Sequence, residues 1–176
     1  MIHQNKYKWL ENENSPKILD EAVKLYGTRE IVGKQHSKEI LSWAKEVGLE
    51  KTYTNDEIPW CGLFIAYVTK KAGYTPVVNP LWARNWAQFG TKQSKAMLGD
   101  ILVFSRNNAG HVGIYVGEDG VCYHVLGGNQ SNSVCYATYD VNAFNEFRWY
   151  GRTSTPLQER YNLPILNVSN GNVTES

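Results

Sequence analysis

The periodicity of the apolar residues changes once along this chain. Before Ala96 they recur at helical spacing, and from Ala96 onward they run as short extended segments separated by turns. Helices first and hairpin-linked strands afterwards predict an α+β fold, with N-terminal helices packed on a mostly antiparallel β-sheet. The 176 residues suffice for one well-buried domain and are few for two. Residues 1–14 are polar and are expected to be a loosely held lead-in. Residues 15–152 are expected to form the domain, and residues 153–176 a polar tail, disordered or serving as an attachment segment.

Three helices are predicted in the first half. Ser15-Pro16 gives an N-cap followed by proline at the first helical position, and Ile18, Leu19, Ala22, Val23 and Tyr26 make an apolar face ending at Gly27. Ser37 caps a second helix, with Ile40, Leu41, Ala44 and Val47 inward and Gly48 as the stop. The third begins near Pro59-Trp60-Cys61 and carries Leu63, Phe64, Tyr67, Val68 and Ala72 at helical spacing before Gly73.

Cys61 falls in the first turn of that third helix. There the unpaired N–H groups and the positive end of the helix dipole favour thiolate over thiol, which makes a cysteine nucleophilic. A buried core residue is the alternative use of the same position. After a further short helix at residues 81–86, on which Trp82 and Trp86 stand at i, i+4, the rings serve as core or give a flat wall to a substrate groove.

Extended segments follow at Ile101-Leu102-Val103-Phe104 and His111-Val112-Gly113-Ile114-Tyr115-Val116. The turn signal Gly117-Glu118-Asp119-Gly120 predicts a hairpin with residues 121–126, and residues 133–139 and 146–150 supply further strands. A cysteine nucleophile needs a base, and histidine has the suitable pKa. His3 lies in the lead-in and His36 beside a cap, which leaves His111 and His124. His111 opens a strand after a polar loop, so its ring is expected at the sheet end.

Taken together, Pro59-Trp60-Cys61 opening an apolar helix, Gly99-Asp100 leading into a strand, and Gly110-His111-Val112-Gly113 opening the next resemble the NlpC- and CHAP-type bacterial and phage cell-wall hydrolases of the papain-like superfamily. The tryptophan before the cysteine and Gly127-Gly128-Asn129 after the third strand resemble one subgroup of them. The resemblance implies a papain-like α+β fold and cleavage of amide bonds in peptidoglycan, with Cys61 as nucleophile and His111 as base. It implies a third residue that fixes the His111 tautomer. In the NlpC pattern the match is His124, and in the CHAP pattern Asn129. A regular hairpin pairing Val116 with Val121 favours His124, unless a bulge at Gly127-Gly128 turns Asn129 around. The backbone N–H of Cys61 is expected in the oxyanion hole, and Trp60 and Trp82 are the candidate substrate-binding rings. An inactive wall-binding module and an acyltransferase on the same fold are the alternatives.

The net charge is +1 with both signs interspersed, so nucleic acid is not an expected partner. No segment has the length of a membrane span, and the first residues lack the apolar run of a secretory signal. Synthesis in the cytoplasm is expected, with access to the wall through lysis or through a phage or secretion apparatus. An immunity or delivery protein is then the expected partner besides peptidoglycan. Cys61, Cys122 and Cys135 are odd in number, so at least one thiol is free. Neither a metal nor a cofactor is expected, because Cys122, His124 and His111 lack an evident fourth ligand.

Overall fold

The computed structural model describes residues 5–12, 15–106 and 109–149, and the chain is α+β. Helices α1 (Lys17–Val23), α2 (Lys38–Glu46) and α3 (Cys61–Lys71) come first, followed by a short 3-10 helix at Ala83–Gln88. The strands are β1 (Thr91–Lys92), β2 (Ile101–Arg106), β3 (Ala109–Glu118), β4 (Cys122–Gln130), β5 (Ser133–Asp140) and β6 (Phe144–Trp149). They form one antiparallel sheet in the order β1-β6-β2-β3-β4-β5. His3 and the tail from Thr153 lie outside the described residues.

Capping follows the sequence at α2, where Ser37 Oγ accepts from the Ile40 N–H at 3.4 Å. At α1 it does not: the helix starts at Lys17 with Pro16 as N-cap, and the Ser15 hydroxyl makes no cap bond. Helix α3 starts one or two residues later than its proline suggests, with Trp60 as N-cap and Cys61 as the first helical residue. Gly73 takes the left-handed conformation, φ +87°, expected of its C-terminal stop.

The helices cover one sheet face. Ile101, Val103, Val112, Ile114, Val116, Leu126, Val134 and Tyr136 meet Leu63, Phe64 and Val68 of α3, with Trp43 and Trp60 fully buried between the helices. Alternation along the strands sends Leu102, Phe104, Tyr115 and Val125 to the opposite face, where they form a second, smaller cluster with Ala96, Tyr123 and Tyr139. His111, next to inward-facing Val112, belongs to this second face.

One expectation is corrected at the N-terminus. Residues Asn5–Asn12 wind into a 3-10 helix rather than a loose lead-in. Tyr7 and Leu10 are buried in the main core, and the Tyr7 ring stacks on Tyr136 with centroids 3.9 Å apart. Two apolar side chains three positions apart fall on one side of a three-residue turn, which is why so polar a segment docks.

Candidate active site

Cys61 stands where the start of α3 abuts the start of β3. The first intrahelical bond of α3 runs from the Phe64 N–H to the Trp60 carbonyl at 2.9 Å, so the N–H groups of Cys61, Gly62 and Leu63 precede the helical ladder. Burial alone would push the Cys61 thiol up. The charge and hydrogen bond of His111, with the backbone N–H groups of Val112 and Gly62, outweigh it and hold the thiol below the ordinary cysteine value. Cys61 and His111 are 6% and 5% exposed, so the pair is sheltered but not sealed.

One nitrogen of the same imidazole, His111 Nε2, lies 3.1 Å from Gln130 Oε1. Phe104 and Tyr139 flank the ring, with centroids 6.0 and 5.5 Å away. Gln130 reaches this position through a bulge: β4 pairs Gly127 with Cys135 and then Gln130 with Ser133, one residue too many on the β4 side. Asn129 absorbs the irregularity with φ +57°.

On the solvent side Cys61 opens into a groove of about 620 Å³, lined also by Thr52, Ile58, Pro59, Leu81, Trp82 and Arg84. The groove wall lies hard against the helix because residue 62 is glycine. A Cβ there would stand 2.2 Å from the Pro80 carbonyl oxygen, so any side chain would drive residues 80–81 away from the cysteine. Buried Asp56 secures the approach to α3. Its carboxylate accepts from the Ile31 and Ser37 N–H groups at 2.9 and 2.8 Å and pairs with His36 Nδ1 at 2.8 Å. His36 therefore serves the capping region, as expected.

Residues 53–129 match the family model of the CHAP domain. No curated protein matches the chain. The match spans the cysteine helix and the histidine strand and ends one residue before Gln130. Likeness to the CHAP domain suggests peptidoglycan hydrolase activity in general terms.

Within and beside the CHAP-like segment, three expected residues stand elsewhere. His124 is on the helix-covered sheet face, opposite to His111, and its two ring nitrogens are taken by Tyr7 and Asp119 at 2.6 and 3.0 Å. The hairpin register explains the displacement. The strands run on to pair Glu118 with Tyr123, a bulge lies between Tyr115 and Gly117, and Ile114 rather than His111 faces Leu126. Asn129 occupies the bulge itself, and the turned residue is its neighbour Gln130. Trp60 is fully buried, its Nε1–H donating to Glu30 Oε2 at 2.9 Å, so it is a core residue that anchors the cysteine helix and not a groove ring. Trp82 does line the groove and is 74% exposed.

Gln130 is the neighbour of His111 that the sequence does not single out. The signal was present as the residue after Gly127-Gly128-Asn129, but recognising it requires the one-residue bulge and the true hairpin register together. Cys122 and Cys135 are both free thiols, so no bridge joins them. Among the described residues no group of three His, Cys, Asp or Glu is arranged to hold a metal ion. Nor is any described helix long and apolar enough to cross a membrane.

Proposed function

We propose that this protein is a cysteine amidohydrolase that cuts an amide bond of peptidoglycan, with Cys61 as nucleophile and His111 as general base and acid. The observation that carries the reading is the Cys61–His111 contact at a helix N-terminus, with a thiol lowered in spite of its burial, on the wall of an open groove. The CHAP likeness supplies the substrate class.

In this reading the Cys61 sulfur attacks the amide carbonyl carbon, and its proton passes to His111. The negative oxygen that develops is met by N–H groups of the first turn of α3, that of Cys61 included. Breaking the C–N bond releases the amine, which takes the proton from the imidazolium and leaves a thioester on Cys61. Water activated by neutral His111 then hydrolyses the thioester and frees the thiol. Trp82, exposed on the groove wall, offers a flat apolar face to a sugar ring or a stem-peptide side chain. Delivery to the wall by a phage or secretion apparatus, and an immunity or delivery partner, belong to the same reading.

Incubating purified sacculi with wild type and with Cys61→Ala, then separating the soluble fragments, tests it. Release by wild type alone is expected, and the mass of the fragments identifies which amide is cut. Equal release by both proteins would refute the assignment, and wall binding without release would favour a binding module.

A further inference from the structure

We propose that Gln130 is the positioning residue of the active pair, its side-chain oxygen holding His111 as the Nε2–H tautomer so that Nδ1 faces Cys61. The inference rests on the reading of Cys61 and His111 as nucleophile and base, and it assigns the third position to a residue that neither the NlpC nor the CHAP pattern indicated.

The orientation of the Gln130 amide carries the argument. Its nitrogen lies 2.5 Å from the Cys135 carbonyl oxygen and 3.4 Å from that of Val125, and carbonyl oxygens only accept. The NH2 group must therefore point that way, and Oε1 must point at His111. A second donor, the Tyr139 hydroxyl, reaches the same oxygen at 3.0 Å. Flipping the amide would set NH2 against the Tyr139 hydroxyl and His111, and an oxygen against two carbonyls. The amide is thus locked, and an acceptor locked opposite Nε2 requires a proton on Nε2. In neutral imidazole the other nitrogen, Nδ1, then carries the lone pair that a base needs.

The surroundings hold Gln130 as firmly as Gln130 holds the histidine. It is fully buried. Its backbone carbonyl accepts from Ser133 Oγ at 2.9 Å and from Cys135 Sγ at 3.2 Å. Gly127 leaves the space that its side chain fills, since a Cβ at residue 127 would come within 2.7 Å of Gln130 Oε1. Glutamine is also neutral. It fixes the tautomer without placing a negative charge behind the imidazole, so the attraction between thiolate and imidazolium is not shared with a third charge.

Two measurements that need no wall substrate test this. In Cys61→Ala, with the pH raised until the imidazole shifts no longer change, the nitrogen-15 spectrum of His111, assigned with His111→Gln, is expected to show the Nε2–H tautomer. Adding Gln130→Ala is expected to give a mixture of tautomers. In the protein with all cysteines present, iodoacetamide labelling of Cys61 is followed by peptide mass so that Cys122 and Cys135 are counted separately, and in Gln130→Ala the midpoint of its pH profile is expected to move up by about one unit. An Nδ1–H tautomer in the single variant, or an unchanged labelling profile in a folded Gln130→Ala, would overturn the proposal. Should Gln130→Ala fail to fold, the tautomer in Cys61→Ala alone decides. An Nε2–H tautomer in a protein that releases nothing from sacculi would support the positioning role and count against the hydrolase reading only.

Discussion

Trp82 is 74% exposed on the groove wall while Trp86, four positions on, is fully buried and donates its Nε1–H to the Pro80 carbonyl at 2.9 Å. Four residues span more than one turn of a 3-10 helix, so the two rings leave it in different directions. Trp82 is also the N-cap, with extended φ −83° and ψ 106°. Trp82→Ala is therefore expected to leave the melting temperature near that of wild type and to raise KM for soluble wall fragments several-fold. Trp86→Ala is expected to cost about 3–5 kcal/mol of stability, the usual range for an aromatic truncated in a core. Steady-state kinetics and urea unfolding of the two variants check this, and a Trp82 variant with unchanged KM would remove the ring from the substrate site.

The buried chain Tyr7–His124–Asp119 joins the N-terminal 3-10 helix to the β3–β4 turn. Asp119 can only accept, so His124 Nε2–H donates to it, Nδ1 accepts, and the Tyr7 hydroxyl donates. Burial holds His124 below its usual value in spite of Asp119. Asp119, which burial alone would raise, is brought down to about 2 by the Cys122 N–H, His124 and the Val121 N–H. Both groups stabilise the fold fully above their unfolded values. As the pH falls, the His124 contribution goes first, below its ordinary 6.5, and that of Asp119 goes below its ordinary 3.8. His124→Gln is thus expected to be less stable than wild type at pH 7.5, to lose less between pH 7.5 and 5.5, and to keep near-normal turnover per folded molecule. Urea midpoints at the two pH values, with kcat, test it. A large loss of kcat in a stable His124→Gln would return this residue to the active pair.

Asp56 gives a second stability prediction close to the site. Burial would raise its carboxyl, but bonds from the Ile31 and Ser37 N–H groups and from His36 hold it below the usual carboxylate value. Asp56→Ala leaves the buried Ser37 N–H and the part-buried Ile31 N–H without their acceptor and is expected to cost about 2–4 kcal/mol at pH 7. The carboxylate contribution is present above the ordinary 3.8 and is lost as the pH falls through the lower folded value. The gap between wild-type and variant unfolding midpoints should therefore narrow toward pH 3, and a gap constant with pH would contradict this account.

Much of this fold is legible from local signals. The Ser37 cap and the glycine after α3 depend on neighbours in sequence and stand where the residues put them, and the β3–β4 hairpin is present with its turn at residues 119–121 instead of 117–120. The positions of Cys61 at a helix start and of His111 near a strand start are legible for the same reason, because both are local features. The displaced assignments depend on relations across the sheet. The face of His124 follows from the register and from bulges that no single stretch encodes. The docking of residues 5–12 depends on Tyr136 and His124, more than a hundred residues away. Burial of Trp60 and exposure of Trp82 likewise follow from where α2 and the 80–81 segment pack, not from the aromatic type.

In the proposed mechanism the acyl group of the cleaved amide passes to the Cys61 sulfur. Mixing wild-type protein with soluble wall fragments, quenching in acid within one turnover and measuring the intact and peptide-mapped mass tests it most directly. A mass increase equal to the acyl group of the cleaved fragment less the thiol hydrogen it replaces, confined to the Cys61 peptide and absent from Cys61→Ala, is expected. Cleavage with no adduct at any quench time, together with undiminished cleavage by Cys61→Ala, would contradict it.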